Sequence, residues 1–364
     1  MEPQTDEWAD VSPPISSKNM TRLKVIGVLF TVAGISLFAY FIYAVGFHLI
    51  VRDVRRIGLI GFAAIVALYF VRIFVRSWAW KLSVYEPYKL SLKDTIPAVI
   101  IGEALSALIP LGILISGTTK AVAVRKRVPL VVGLSSVATE NLFYSLITSI
   151  FLIFGAVTFL RIFSLDEAWT WTLDLVIWII VGVVVLIVAM VIRQWHFASY
   201  TCEWLYNRGI GRRYLEHGRL HVRLFENLIY GFYRQYPRRF LPICGCEVVF
   251  HLLGIAEAFF ILSFVSNIGP TWLGSFLLES VSRLILVVFK LIPFLVGVDE
   301  AGARFVTQVL GIGAGVGITL AIIRKGRVLF WTAVGLLLIL KRGLSIREIT
   351  ELREKIHHSV APHH

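Results

Sequence analysis

Ionisable side chains interrupt apolar stretches of this chain at two places, and the two interruptions share one plan. Leu108-Ile109-Pro110 leads through Gly117 to Lys120 and then to Glu140; Leu291-Ile292-Pro293 leads through Gly297 to Asp299, Glu300 and Arg324. Pro110 precedes Glu140 by 30 residues, and Pro293 precedes Arg324 by 31. A carboxylate or guanidinium at mid-membrane costs at least about 2.5 to 3.5 kcal/mol, so it is kept for a pathway, a proton relay or an ion pair. A repeated apolar unit broken at Pro and Gly, with charge at both breaks, points to a binding site between repeats.

Each group suggests its own chemistry. Ser136, Glu140, Tyr144 and Thr148 recur every four residues and so share one helical face, a polar stripe expected to line a cavity. Arg324, flanked by Lys325 and Arg327, is expected near the middle of a long helix. Glu140 and Arg324 occupy equivalent places with opposite charge, and pairing would offset the desolvation of both. Pro110, Gly117, Pro293 and Gly297 are expected to break the helices. Unwound backbone at the breaks would leave N–H groups free to cradle an anion. Lys120 suits a phosphate there, and Asp299 or Glu300 an amine, a cation or a coupling proton; helix capping is the alternative for both sites. Glu279 and Arg283, four apart, are expected to pair. Glu247, His251 and Glu257 share a broad helical face, but the set is too sparse for a metal site, and no metal or cofactor is expected. Gly311, Gly313, Gly315 and Gly317 lack the Lys-Ser or Lys-Thr of a phosphate loop and read as close helix packing.

The elements that must position these groups are helices in lipid. Of 364 residues, 57% are hydrophobic and 16% charged, with a mean hydropathy of +0.78. Such a chain cannot clothe a water-facing surface. The predicted fold is all-α and polytopic, with full spans near 24–50, 57–80, 130–160, 172–192, 242–267 and 313–340. Broken pieces at 94–125 and 272–311 read as re-entrant hairpins, giving inverted repeats at about 57–160 and 242–341; eight plain spans are the alternative. The N-terminal 20 residues read as a disordered cytoplasmic segment that does not resemble a cleavable signal, 21–342 as the transmembrane domain, and 343–364 as a cytoplasmic tail.

The net charge of +13 lies mostly beside apolar spans. Nucleic acid is therefore not the expected partner. Lys18, Arg22, Lys24, Lys81, Lys89, Arg125 and Lys341 fall on one side of this topology, which marks the cytoplasm and places both termini inside a plasma membrane, read as a bacterial inner membrane. Arg52, Arg55 and Arg56, in an expected external turn, oppose that assignment. The Arg-rich segment 193–241, interleaved with aromatics, reads either as a surface helix pair gripping anionic headgroups or as an ordinary basic loop. Cys202, Cys244 and Cys246 are expected to be reduced. Homo-oligomerisation is permitted but not required.

The run LIPLGILISGTTKAVAVRKRVPLVVGLSSVATEN resembles the first motif of flippase-like membrane proteins related to the transmembrane region of lysylphosphatidylglycerol synthase, with Pro110, Gly117, Lys120, Glu140 and Asn141 in its places. Thr118 stands where that family usually has Glu. The run LIPFLVGVDEAGARFVTQVLGIGAGVGITLAIIRKGR is similar to the second motif, through Pro293, Gly297, Glu300, Gly311 and Arg324. The resemblance covers about residues 24–342. It implies transbilayer movement of a lipid or lipid-linked substrate, and about twenty residues beyond the last span would not hold the synthase's aminoacyl-transfer domain.

The expected function is therefore transport rather than catalysis. A headgroup would be held by Lys120 or Arg324, and movement would be passive or driven by protons through Glu140 or Glu300. Two rivals are a lipid-modifying enzyme using Glu247 and His251 as an acid–base pair, and a non-transporting subunit of a lipid-synthesis complex.

Overall fold

The computed structural model describes residues 47–108, 112–163, 167–208, 212–288 and 297–341. Pro110 and Pro293, and most of the predicted span 24–50, lie outside them. Every element among the described residues is helical: α1 (Phe47–Leu82), α2 (Leu92–Leu108), α3 (Gly112–Ala123), α4 (Leu130–Ile162), α5 (Glu167–Arg193), α6 (Phe197–Asn207), α7 (Arg212–Gln235), α8 (Phe240–Val265), α9 (Trp272–Val288), α10 (Val298–Val309) and α11 (Ala314–Lys341), with a 3-10 turn at Pro237–Arg239 before α8.

Among the described residues, three helical segments are long and apolar enough to cross a membrane: Arg55–Leu82, Leu130–Ile162 and Pro237–Val265. At about 1.5 Å per residue each exceeds the roughly 30 Å of a hydrocarbon core. Helix α11 is as long, but Arg324, Lys325 and Arg327 interrupt its apolar sequence. On α5, Trp171, Leu175, Trp178, Ile179 and Leu186 are exposed, an apolar surface that suits lipid rather than water.

The helices pack as two units of four, α1–α4 and α8–α11, whose contacts match when the units are exchanged. Helices α1 and α8 lie against each other. The last helix of each unit packs on the second of the other: α11 on α2, and α4 on α9. In the same way α11 meets α1 and α4 meets α8. Apolar residues from both units build the core, with Ile65 of α1, Ile261 of α8, Leu278 of α9 and Leu320 of α11 in one cluster.

Several sequence expectations change at this level. The stretch holding Arg52, Arg55 and Arg56 is helical, and two helices join just after it at Gly58, whose φ of 63° suits a residue without Cβ. The stretch Gly117–Lys120 is not a turn: it lies inside α3, because glycine costs a helix only about 1 kcal/mol and its bare face meets Val137 of α4. Gly297 does mark a helix boundary, as the N-cap of α10 with φ 83°. Gly311 and Gly313 have positive φ in the turn before α11, so they serve chain reversal rather than packing. Gly317 does pack closely: a Cβ there would sit 2.3 Å from the Ala303 carbonyl oxygen. Gly317→Ala is expected to destabilise the protein by about 1 to 3 kcal/mol through overpacking of α10 on α11, measurable as a lowered unfolding midpoint in detergent.

The 193–241 segment forms a packed helix pair, α6 and α7, with α7 docked on α4 through Tyr233 against Phe143. All three cysteines are free thiols. Burial and the nearby Glu226 carboxylate push the Cys202 thiol up, which keeps it protonated at neutral pH.

Candidate functional site

Helix α1 carries Arg72 and Arg76 one turn apart, and around them buried charges from both units gather into two clusters. Neither arginine was singled out by the repeat pattern. The available signal was their spacing of four within an apolar span, which places both on one face.

The first cluster joins Arg76 to α4. The Arg76 guanidinium donates to Glu140 Oε1 at 3.0 Å and to Asn141 Oδ1 at 3.3 Å. It also lies over the Tyr144 ring, 4.6 Å from its centre. The α4 stripe faces inward and makes contacts with neighbouring helices. Trp80 donates to Ser136 at 2.9 Å, and Thr148 bonds His251 Nε2 at 3.0 Å. Glu140 keeps one buried oxygen, Oε2, without a hydrogen bond. Lys120 is buried, with its stem against Gly102 of α2, and no ion pair or hydrogen bond holds it among the described residues. It lies in the last turn of a helix, so the expected backbone cradle is absent around it.

The second cluster is denser. Glu257 of α8 accepts from Arg72 at 3.2 Å and from Arg327, with the Arg324 guanidinium 3.7 Å away. Glu279 of α9 accepts from Arg324 at 2.7 Å, from Arg72 at 3.5 Å and from Arg283 at 2.8 Å. The expected Glu279–Arg283 pair is thus part of a larger network. Four guanidiniums share these two carboxylates, a local formal excess of two positive charges at Glu257 and Glu279, which Asp299 offsets in part through its field on Arg324. The α8 backbone makes room at Gly254, where a Cβ would meet a Glu279 carboxylate oxygen at 2.3 Å. Arg324 Nη2 also reaches the Gly254 carbonyl at 3.5 Å.

Phe250 and Tyr69 stand where the clusters meet. The guanidinium carbons of Arg72, Arg283 and Arg76 lie 4.3, 5.1 and 5.8 Å from the Phe250 ring centre. Tyr69 holds Arg327 over its ring at 4.0 Å and donates its hydroxyl to Glu103 of α2 at 3.1 Å. Cation–π contacts of this kind let guanidiniums sit against an apolar ring without water.

The expected Glu140–Arg324 pair is not formed, since each already has a nearer partner: Arg76 for Glu140, and Glu279 with Glu257 for Arg324. Arg324 itself is buried in a continuous helix, as the membrane-centre reading required, and α11 does not break at Gly326. At the second break, Glu300 acts as a cap: it accepts the Gly297 N–H at 2.8 Å and pairs with Lys325 at 2.6 Å. Asp299 lies beside it in the first turn of α10, where it acts electrostatically on Arg324. Glu247 and His251 are both buried, but His251 is bonded to Thr148 and stacked on Phe151, and neither Glu247 oxygen has a hydrogen-bond partner. Among the described residues the two side chains are thus not hydrogen-bonded to each other. No metal-binding group of His, Cys, Asp and Glu occurs among the described residues.

Long apolar helices with charges buried between them define a multi-pass membrane protein. The model of one family, the lysylphosphatidylglycerol synthase transmembrane region, matches residues 24–335, and the chain belongs to that family. Membership relates it to lipid handling in the membrane. Comparison with curated proteins and with solved structures found no match.

Proposed function

We propose that this protein moves an intact lipid or lipid-linked anionic substrate across the bilayer, between its two four-helix units. The observation that carries the reading is the excess of guanidinium over carboxylate around Glu257 and Glu279. Structural ion pairs would be expected to balance; a surplus of buried Arg suits a site that accepts a phosphate. Arginine binds phosphate bidentately and stays charged, so a headgroup can exchange with Glu257 or Glu279 without stranding a cation.

The lengths of α2, α3 and α10 support the hairpin topology. With 17, 12 and 12 residues, they extend about 26, 18 and 18 Å, short of a full crossing. In this reading α2–α3 and α9–α10 dip into the bilayer from opposite sides, as inverted repeats, and both termini are cytoplasmic. The helix pair α6–α7 then rests on the inner surface, where Trp204, with Arg208 stacked 3.9 Å from its ring, sits at headgroup level. The acyl chains stay in lipid, and the substrate leaves chemically unchanged.

The test is reconstitution into liposomes carrying a labelled phosphatidylglycerol or a labelled polyprenyl phosphate in one leaflet. Wild-type protein is expected to equilibrate at least one of them, and Arg324→Ala to slow that movement at least tenfold. Chemically altered lipid in the mass spectrum, or movement indifferent to Arg324, would overturn the proposal.

A further inference from the structure

Glu247 is fully buried on α8, and both of its carboxylate oxygens lack a hydrogen-bond partner. No other carboxylate in the two clusters is so placed. Glu140 spends one oxygen on Arg76, Glu257 and Glu279 lie among guanidiniums, and Glu300 is held by Lys325 and the Gly297 N–H. An ionised carboxylate taken from water without a donor is costly enough that such a group neutralises instead.

The charged and titratable groups around Glu247 are few. Arg76 acts on it from α1, Lys120 from α3, and Glu140 and Tyr144 from α4. Cys244 and Cys246 flank it on its own helix, and His251 stands one turn further along, bonded to Thr148. Arg239, at the start of α8, is turned away to Glu86 and to the Leu82 and Val84 carbonyls. The charged groups of α9 and α11 near α8, namely Glu279, Arg283, Arg324 and Arg327, belong to the second cluster. Of the surrounding basic groups, Arg76 is already engaged by Glu140, and Lys120 is buried without an ion pair or hydrogen bond among the described residues, so neither neutralises Glu247 as a committed partner.

We propose that Glu247 is a proton-binding site, and that lipid movement is coupled to the proton it takes up and gives back. In the conformation described here the carboxyl group carries the proton. When the units shift and water reaches α8, the O–H bond breaks, the proton passes to water, and the carboxylate left behind is stabilised by that water and by the positive field of Arg76. Reprotonation from the other side restores the uncharged group. Nothing is oxidised or reduced, and the charge on Glu247 alternates between zero and minus one. This replaces Glu140 and Glu300 as carriers, because both are already held by cations. The coupling rests on the transport reading above; the proton site does not.

Two measurements separate them. Infrared spectra of purified protein in lipid nanodiscs are expected to show a carboxylic-acid C=O band that shifts in D2O, is lost in Glu247→Gln and survives in Glu140→Gln. A spectrum unchanged by Glu247→Gln overturns the proton site. In liposomes with the membrane potential clamped at zero, a gradient of one pH unit is expected to sustain up to about a tenfold lipid asymmetry if one proton moves per lipid. Glu247→Gln should let the same lipid equilibrate to no asymmetry. Wild-type movement indifferent to the gradient overturns the coupling, and absence of any movement overturns the transport reading itself; in both cases the infrared band still decides the site.

Discussion

Replacing Glu279 by alanine is expected to destabilise the folded protein by about 3 to 5 kcal/mol, the usual result of removing one partner from a buried ion network. Three guanidiniums, those of Arg72, Arg283 and Arg324, lose a carboxylate they share at 3.5 Å or less. The formal excess of positive charge in that cluster would rise from two to three. Water cannot easily replace the lost charge, because Arg72 and Arg324 are buried between four helices. Thermal or denaturant unfolding in nanodiscs measures the effect. A loss below about 0.5 kcal/mol, the range of an ordinary surface substitution, would show that Glu279 does not hold these cations. Arg283→Ala is expected to cost much less, since it removes one of the surplus cations and leaves Glu279 with two others.

The second large effect concerns which charges are coupled. Glu140→Ala and Arg76→Ala are each expected to lower stability by about 3 kcal/mol or more, while the double variant costs far less than their sum, because both remove the same buried pair. The reversed pair, Arg76→Glu with Glu140→Arg, should recover part of the stability that either single reversal loses. Glu140 and Arg324 share no partner among the described residues, so their substitutions are expected to add to within about 0.5 kcal/mol. A strong coupling between Glu140 and Arg324 would restore the pairing that their equivalent positions suggested.

These contrasts show where sequence reasoning succeeds and where it stops. Glu140 and Arg324 could be found because an ionisable residue in an apolar run is rare and costly, and both are buried as expected. The Glu279–Arg283 pair was legible because spacing of four on one helix forces proximity. The partner of Glu140 was not. Arg76 lies 64 residues away, and its selection depends on how α1 is rotated against α4, which no local pattern records. The same holds for Glu257, which seemed an isolated member of a polar face until α1 and α11 brought Arg72, Arg324 and Arg327 to it. At the breaks, Gly117 misled because glycine permits a turn without requiring one, whereas Gly297 occupies a positive φ that favours it.

The residues alone determined that this protein is helical and lies in a membrane, because backbone in lipid must be satisfied internally and long unbroken apolar runs suit helices rather than the alternating strands of a barrel. They also determined its family, through two motifs of matched spacing that the family model covers from 24 to 335. Tertiary packing alone decided how the buried charges are shared out. It set four guanidiniums around Glu257 and Glu279, gave Glu140 to Arg76, and left Glu247 with no hydrogen-bond partner among the described residues. The physical reason is that desolvation makes every buried charge require a partner, while which partner it finds is set by the rotation and depth of helices distant in the chain.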